Sequence, residues 1–283
     1  MEMNKIMVIG SGQMGNGIAQ VAAQAGYNVL LNDISIEYAQ KGLDSIERNL
    51  SHDVEKERKT EGEKENILGR IQLLDNKKDA AECQLIIEAT VEKFEIKKSI
   101  FEELDKIVPQ ETILSTNTSS LPITDLAATV THPERFIGMH FMNPVPVMKL
   151  VEIIRGVQTN DEVYQVIHDL SEKMNKTPVE VNDAYGFVSN RVLMPMINEA
   201  AFVLYESVAT PEAIDQVMEL GMNHPMGPLK LADLIGLDTC LSIMEVLYEG
   251  FNDPKYRPCP LLKKYVAAGY LGRKSGRGFY EYN

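Results

Sequence analysis

Apolar positions follow two rhythms along this chain. In the first two thirds, short runs of β-favouring residues alternate with stretches of helical spacing, and beyond Tyr185-Gly186 only the helical spacing remains. Lys5-Ile6-Met7-Val8-Ile9 is the first such run. It leads into Gly10-Ser11-Gly12-Gln13-Met14-Gly15, after which Ile18, Val21 and Ala22 fall at helical intervals. A second strand, Asn28-Val29-Leu30-Leu31-Asn32, follows Gly26 and ends on Asp33. A charged helical stretch then runs to about Asn49, residues 53–65 are almost all charge, and Ile67, Ile71 and Leu73 restore an apolar pattern. Residues 84–89, 112–116, 136–141 and 147–154 read as further strands, and 96–107 as an amphipathic helix. This alternation predicts an α/β, Rossmann-type, mostly parallel sheet over residues 1–184, with ligands at the C-terminal ends of the strands.

The remainder, 185–283, predicts an all-α C-terminal domain for substrate binding or dimerisation. Its helices are expected over 188–204, 211–220, 229–247 and 261–268, with Gly227-Pro228 and Gly236 as punctuation. Thr210-Pro211-Glu212 is a good helix start, a cap candidate followed by proline in the first turn. So small a helical domain gains stability by packing against a second copy, so a homodimer or higher homo-oligomer is expected.

The glycine run has the GxGxxG spacing of a dinucleotide site. Gly10 permits the sharp turn, Gly12 lets the backbone approach a pyrophosphate, and Gly15 allows close packing of helix on strand. A glycine turn alone is weak evidence. The second strand strengthens it, because Asp33 at its end stands where a ribose hydroxyl is read. Its charge opposes a 2′-phosphate, so NAD is expected rather than NADP.

Charge and composition narrow the partners. Of 283 residues, 28 are Lys or Arg and 41 are acids, a net charge of -13 that disfavours nucleic acid and anionic membrane surfaces. No apolar stretch approaches the roughly 20 residues of a membrane span, and Met1-Glu2-Met3-Asn4 lacks a signal peptide's basic and apolar regions. Cys83, Cys240 and Cys259 are odd in number and widely spaced, which reads as reduced thiols in the cytoplasm, without disulfide frame or metal site.

Among the five histidines, His140 stands at the end of an apolar strand in Gly138-Met139-His140-Phe141-Met142-Asn143-Pro144. A satisfied core histidine is the ordinary reading of such a residue. The next strand carries Glu152 among Leu150, Val151, Ile153 and Ile154, however, and a carboxylate in that setting requires a hydrogen-bonding partner. An imidazole held by a carboxylate on one nitrogen keeps the other for proton transfer.

These residues belong to a larger resemblance. The glycine run, Ser115-Thr116-Asn117-Thr118-Ser119-Ser120, His140-Phe141-Met142-Asn143-Pro144-Val145-Pro146, Gly186-Phe187-Val188-Ser189-Asn190-Arg191 and Lys274-Ser275-Gly276-Arg277-Gly278-Phe279-Tyr280 resemble the 3-hydroxyacyl-CoA dehydrogenase family. The likeness spans essentially the whole chain and is strongest to short stand-alone bacterial members. It implies NAD-dependent interconversion of a short (S)-3-hydroxyacyl-CoA thioester and its 3-keto counterpart, in a cleft between the two domains. By resemblance His140 is the general acid/base, Glu152 orients it, and Ser119 and Asn190 hydrogen-bond the reacting oxygen or the thioester carbonyl. Gly10, Gly12, Gln13, Met14, Gly15 and Asp33 hold the dinucleotide, joined by Glu92, Lys97, Asn117, Ser119, Asn143 and Lys274. Asn49, Ser51 and Lys56 are the candidate CoA contacts.

Bland readings stand beside several of these. Asn117 and Ser119 also suit an Asx-type turn or a helix cap, Asn190 a helix start, and Lys97 and Lys274 a solvated surface. Two other functions remain open at this point. One is a dehydrogenase of free 3-hydroxyacids, which uses a lysine as general acid/base; the other is a non-catalytic NAD-binding relative.

Overall fold

A computed structural model describes residues 3–282, which fall into two compact units, 3–184 and 185–282. The first unit opens with β1 (Lys5–Ile9), α1 (Gln13–Gln24) and β2 (Asn28–Asn32), followed by α2 (Ile36–Glu55), α3 (Glu61–Leu68) and β3 (Ile71–Leu74). Next come β4 (Leu85–Glu88), α4 (Phe94–Leu104), β5 (Ile113–Thr116), α5 (Ile123–Ala127), β6 (Phe136–Phe141), β7 (Leu150–Arg155), α6 (Asp161–Lys173) and β8 (Thr177–Asn182). The strands form one sheet in the order β3-β2-β1-β4-β5-β6-β7-β8. Every pairing is parallel except β6 with β7. The expected α/β architecture is therefore present, and the order reverses at β1, where a doubly wound sheet opens a ligand crevice.

Strands β1, β4 and β6 are buried along nearly their whole length, as sheets covered on both faces require. Ile6, Val8, Ile18, Val29, Leu31, Leu85, Ile87, Met139 and Ile153 share one apolar core with α1 and α6. Gly15 makes the tight α1–β1 approach possible: a Cβ there would lie 1.7 Å from the Gly10 carbonyl oxygen.

The charged run 53–65, whose interleaved charges suit a solvated helical hairpin, forms one: α2 continues to Glu55, Glu57 turns the chain with a φ of 55°, and Thr60 starts α3 through a capping box with Glu63. Two stretches differ from their sequence pattern. Strand β7 begins at Leu150 rather than at 147, because the N–H groups of Val147 and Met148 both donate to the Pro144 carbonyl at 3.0 Å. That turn withdraws them from the ladder. Strand β8, with no apolar run to announce it, is a mostly exposed edge that tolerates Pro178.

The second unit is helical: α7 (Ser189–Tyr205), α8 (Pro211–Gln216), α9 (Pro228–Ile235), α10 (Leu237–Phe251) and α11 (Pro260–Ala267). A π turn, Val217–Gly221, extends α8, and Gly236 separates α9 from α10 with a φ of 106°. Its own core gathers Met194, Ile197, Leu229, Leu237, Cys240, Met244, Leu247 and Leu262. Among the described residues no helix is long and apolar enough to cross a membrane.

Candidate active site

The glycine turn ends at the start of α1, whose first N–H groups lack intrahelical partners and carry the positive end of the helix dipole. Gly12 opens the helix, and no atom lies within 4 Å of where its Cβ would stand, so an anion can approach this backbone. The Met14 side chain packs on the core instead, which leaves its backbone as the part facing a ligand. Asp33 follows β2, and its carboxylate is already oriented. Oδ2 accepts from the Ser11 N–H at 2.7 Å and the Ser11 hydroxyl at 2.6 Å, while Oδ1 accepts from the Ile34 N–H at 2.7 Å.

A cleft of about 610 Å³ lies over this turn, lined by Gly12, Gln13, Asn16 and Asp33 on one side and by residues 143–146 on another. Gln13 bridges the two sides, its side-chain N–H donating to Asn143 Oδ1 at 3.1 Å. A third wall was not anticipated. Gly42 of α2 lies against Ser11, so the helix face around it (Tyr38, Lys41, Ser45, Arg48, Asn49) looks into the cleft. Tyr38, Lys41, Ser45 and Arg48 recur at helical spacing, and that periodicity was their only sequence signal. Lys41 and Arg48 thus place two cations beside the glycine turn of an acidic protein, a fit for the phosphates of a dinucleotide. Of the proposed CoA contacts, Asn49 lines this cleft, and Ser51 lines a shallower one further along α2 with Arg48 and His52. Lys56 caps the C-terminal end of α2 and lines neither.

His140 and Glu152 stand directly opposite each other in the antiparallel β6–β7 ladder. Cross-strand partners bring their side chains together on one face. Nδ1 of His140 lies 2.7 Å from Oε2 of Glu152, and both residues are buried, at 7% and 3% exposure. With a carboxylate on Nδ1, that nitrogen carries the proton in the neutral ring, and Nε2 is left as the basic atom. Asn117, just past β5, braces the same strand: its Oδ1 accepts from the Phe141 N–H at 2.9 Å. It is neither a simple Asx turn nor a cap.

A second buried network lies at the ends of β4 and β5. Glu88, fully buried, accepts from Lys97 Nζ at 2.8 and 2.9 Å, from Thr90 N–H and hydroxyl at 2.6 Å, and from the Thr116 hydroxyl at 2.6 Å. Lys97 is 1% exposed and also reaches Glu92 Oε2 at 3.3 Å. The surface reading of Lys97 is therefore corrected: α4 turns it inward, where its ammonium joins two carboxylates. Glu88 was absent from the candidates, although an acid closing Leu85-Ile86-Ile87 carries the signal that singled out Glu152. Glu92 Oε1 in turn accepts from the N–H groups of Ser119 and Ser120 at 2.9 and 3.1 Å and from the hydroxyl of Thr118. Lys97 thus stands behind Glu92, and Glu92 holds the Ser119 turn.

Burial alone would raise the Glu92 carboxyl, but the Lys97 ammonium, the Thr118 hydroxyl, the Ser119 N–H and the Ser120 hydroxyl hold it below its ordinary 4.5. A carboxyl depressed by folding adds stability that is fully present above its unfolded value and is lost as pH falls through the folded one. Urea midpoints of the wild type are therefore expected to fall more steeply below pH 4.5 than those of Glu92→Gln. Equal slopes would remove Glu92 from the acid limb. The side chain is 35% exposed, so the difference is small.

In the second unit Asn190 is buried in the first turn of α7, its N–H donating to the Gly186 carbonyl at 3.1 Å. Lys274 is half-exposed and pairs with Asp238 at 2.5 Å. The C-terminal motif around it is anchored by Asp233, which accepts from the N–H groups of Phe279 and Tyr280 and the hydroxyl of Tyr282, each at 2.9 Å.

Comparison with known proteins agrees with this geometry. Residues 5–184 match the 3-hydroxyacyl-CoA dehydrogenase NAD binding domain, and residues 186–282 match the C-terminal domain of the same family. The first unit is thus an NAD-binding domain of an oxidoreductase. The chain belongs to the 3-hydroxyacyl-CoA dehydrogenase family. It is 59% identical over 282 residues to a Bacillus subtilis protein named "Probable 3-hydroxybutyryl-CoA dehydrogenase", covering 100% of this chain and 98% of that one. It is 54% identical over 280 residues to the 3-hydroxybutyryl-CoA dehydrogenase of Bradyrhizobium diazoefficiens, covering 99% and 96%. The crystal structure of (S)-3-hydroxybutyryl-CoA dehydrogenase PaaH1 from Ralstonia eutropha superposes with a TM-score of 0.97 at 50% identity, over 100% of both chains.

Proposed function

We propose that this chain interconverts (S)-3-hydroxybutyryl-CoA and acetoacetyl-CoA with NAD(H). The observation that carries the chemistry is the His140–Glu152 pair, a buried imidazole whose Nδ1 lies 2.7 Å from a carboxylate, on the sheet that bears the dinucleotide turn. NAD, when bound, supplies the hydride acceptor. In the oxidative direction His140 Nε2 takes the proton of the 3-hydroxyl as hydride leaves C3, and Glu152 stabilises the resulting imidazolium. In reduction the protonated ring returns that proton to the carbonyl oxygen.

Ser119, on the turn held by Glu92, is proposed to hydrogen-bond the reacting oxygen. For Asn190 the same kind of role rests on the family resemblance, as do cofactor contacts for Lys274 and CoA contacts for Asn49, Ser51 and Lys56. Lys97 is assigned to the cofactor side through Glu92. The three cysteines are all buried and unpaired, and burial pushes the Cys83 and Cys240 thiols up to about 12. Such inert thiols suit a cytoplasmic protein, which we take to act as a homodimer or higher homo-oligomer.

The test is consumption of NADH with acetoacetyl-CoA, compared with free acetoacetate and with NADPH. Thioester-dependent turnover that prefers NADH is expected, since Asp33 opposes a 2′-phosphate. Turnover of the free acid would point to the free-acid dehydrogenases, and NADH binding without turnover to a non-catalytic relative.

A further inference from the structure

Lys176 stands between α6 and β8, and its side chain runs inward, leaving the residue 8% exposed. Its ammonium donates to the carbonyl oxygen of Val145 and, at 2.8 Å, to that of Met148. Burial, and then the neighbouring Lys149 ammonium, push its pKa down. A buried ammonium held by carbonyls rather than by a carboxylate is an expensive way to stabilise a fold. Its position suggests a different use.

Both carbonyls belong to segment 142–149, which joins the strand of His140 to the strand of Glu152. The cleft-lining residues Asn143, Pro144, Val145 and Pro146 are part of it. The Val145 side chain is buried and packs against Gly17 of α1, and Asn143 Oδ1 accepts from Gln13. The segment is therefore held both by α1 and by Lys176. Next to Lys176, Thr177 begins β8 by donating its N–H to the Lys149 carbonyl at 2.7 Å.

We propose that Lys176 is a positioning residue for cofactor binding. Its ammonium, outside the cleft lining, draws the Val145 and Met148 carbonyls to one point and so fixes the wall, Asn143 included, that the dinucleotide meets. The proposal rests on reading this cleft as the NAD site. An apolar side chain in place of Lys176 would leave the buried Val145 carbonyl without this donor and the part-buried Met148 carbonyl without its ammonium, and the segment would relax. His140 and Glu152 are set by strand register, so proton transfer would be spared.

The experiment measures the Kd for NADH, kcat at saturating NADH and the KM for acetoacetyl-CoA in Lys176→Met and Lys176→Gln. The Met variant is expected to weaken NADH binding about tenfold or more, the size of a lost charged hydrogen bond. The Gln variant, which keeps N–H donors, should lie between it and wild type. In both variants kcat and the acetoacetyl-CoA KM should stay within about threefold of wild type, since neither depends on the lost bond. A merely structural lysine would lower the melting temperature without this split. The proposal is overturned by an unchanged NADH Kd in either folded variant, by kcat falling while Kd holds, or by failure of both variants to fold. Wild-type protein that binds no NADH would remove the cofactor reading and this proposal together; wild-type binding with unaffected variants would remove this proposal alone.

Discussion

Replacing His140 with glutamine is expected to lower kcat by about 10²–10⁴-fold, the usual contribution of general acid–base catalysis, while NADH binds with nearly unchanged affinity. Glutamine retains an N–H that can reach Glu152 Oε2, now 2.7 Å from the imidazole, so the buried carboxylate keeps a donor and the β6–β7 register is undisturbed. What disappears is a ring nitrogen that can both take and return a proton. The cleft over the glycine turn has neither His140 nor Glu152 in its lining, which is why cofactor affinity should survive. Single-turnover measurements with acetoacetyl-CoA, beside a fluorescence titration of NADH, separate the two effects. Turnover at the wild-type rate would remove His140 from the mechanism.

The second large effect is on stability. Lys97→Met leaves Glu88, fully buried, with hydroxyl and amide donors but no cation. Removing one partner of a buried ion pair destabilises a protein by about 3–5 kcal/mol, because the remaining charge stays desolvated. For a unit of this size that corresponds to a melting temperature lower by roughly 6–20 °C. Adding Glu88→Gln to Lys97→Met removes the orphaned charge, keeps an acceptor for Thr90, and presents an N–H that the Thr116 hydroxyl can accept. The double variant should therefore recover a substantial part of the loss. Calorimetry of the two single variants and the double variant decides the matter. If Lys97→Met melts with the wild type, the pair contributes nothing, and Lys97 has to be explained by its reach to Glu92 alone.

Much of the site was legible because its signals are local. A glycine turn between an apolar run and a helical period spans a dozen residues, and the dihedral freedom it needs is written in residue type. Asp33 follows at the end of the next strand for the same reason. Glu152 declared its need for a partner through its apolar neighbours. The start of β7 was misread from sequence because a tight local turn cut across the apolar pattern. Val147 and Met148 have β-favourable surroundings, yet their N–H groups are taken by the Pro144 carbonyl. Residues 53–65, whose interleaved charges suit a solvated helical hairpin, form one: Glu57 turns the chain and Thr60 starts α3.

From composition and periodicity alone came the alternation of strands and helices, the dinucleotide turn, the change to helices near Tyr185, and the demand of one buried acid for a partner. Each depends on residues within a few positions of one another. Packing decided that this partner is His140, since two strands meet as an antiparallel pair with those residues opposite. It also decided that Lys97 points inward to Glu88, that Lys41 and Arg48 line the cleft over the glycine turn, and that Lys176 holds the segment lining that cleft. Such contacts join residues 9 to 31 positions apart, and their geometry exists only once the sheet has set its register and the helices have turned their faces to it.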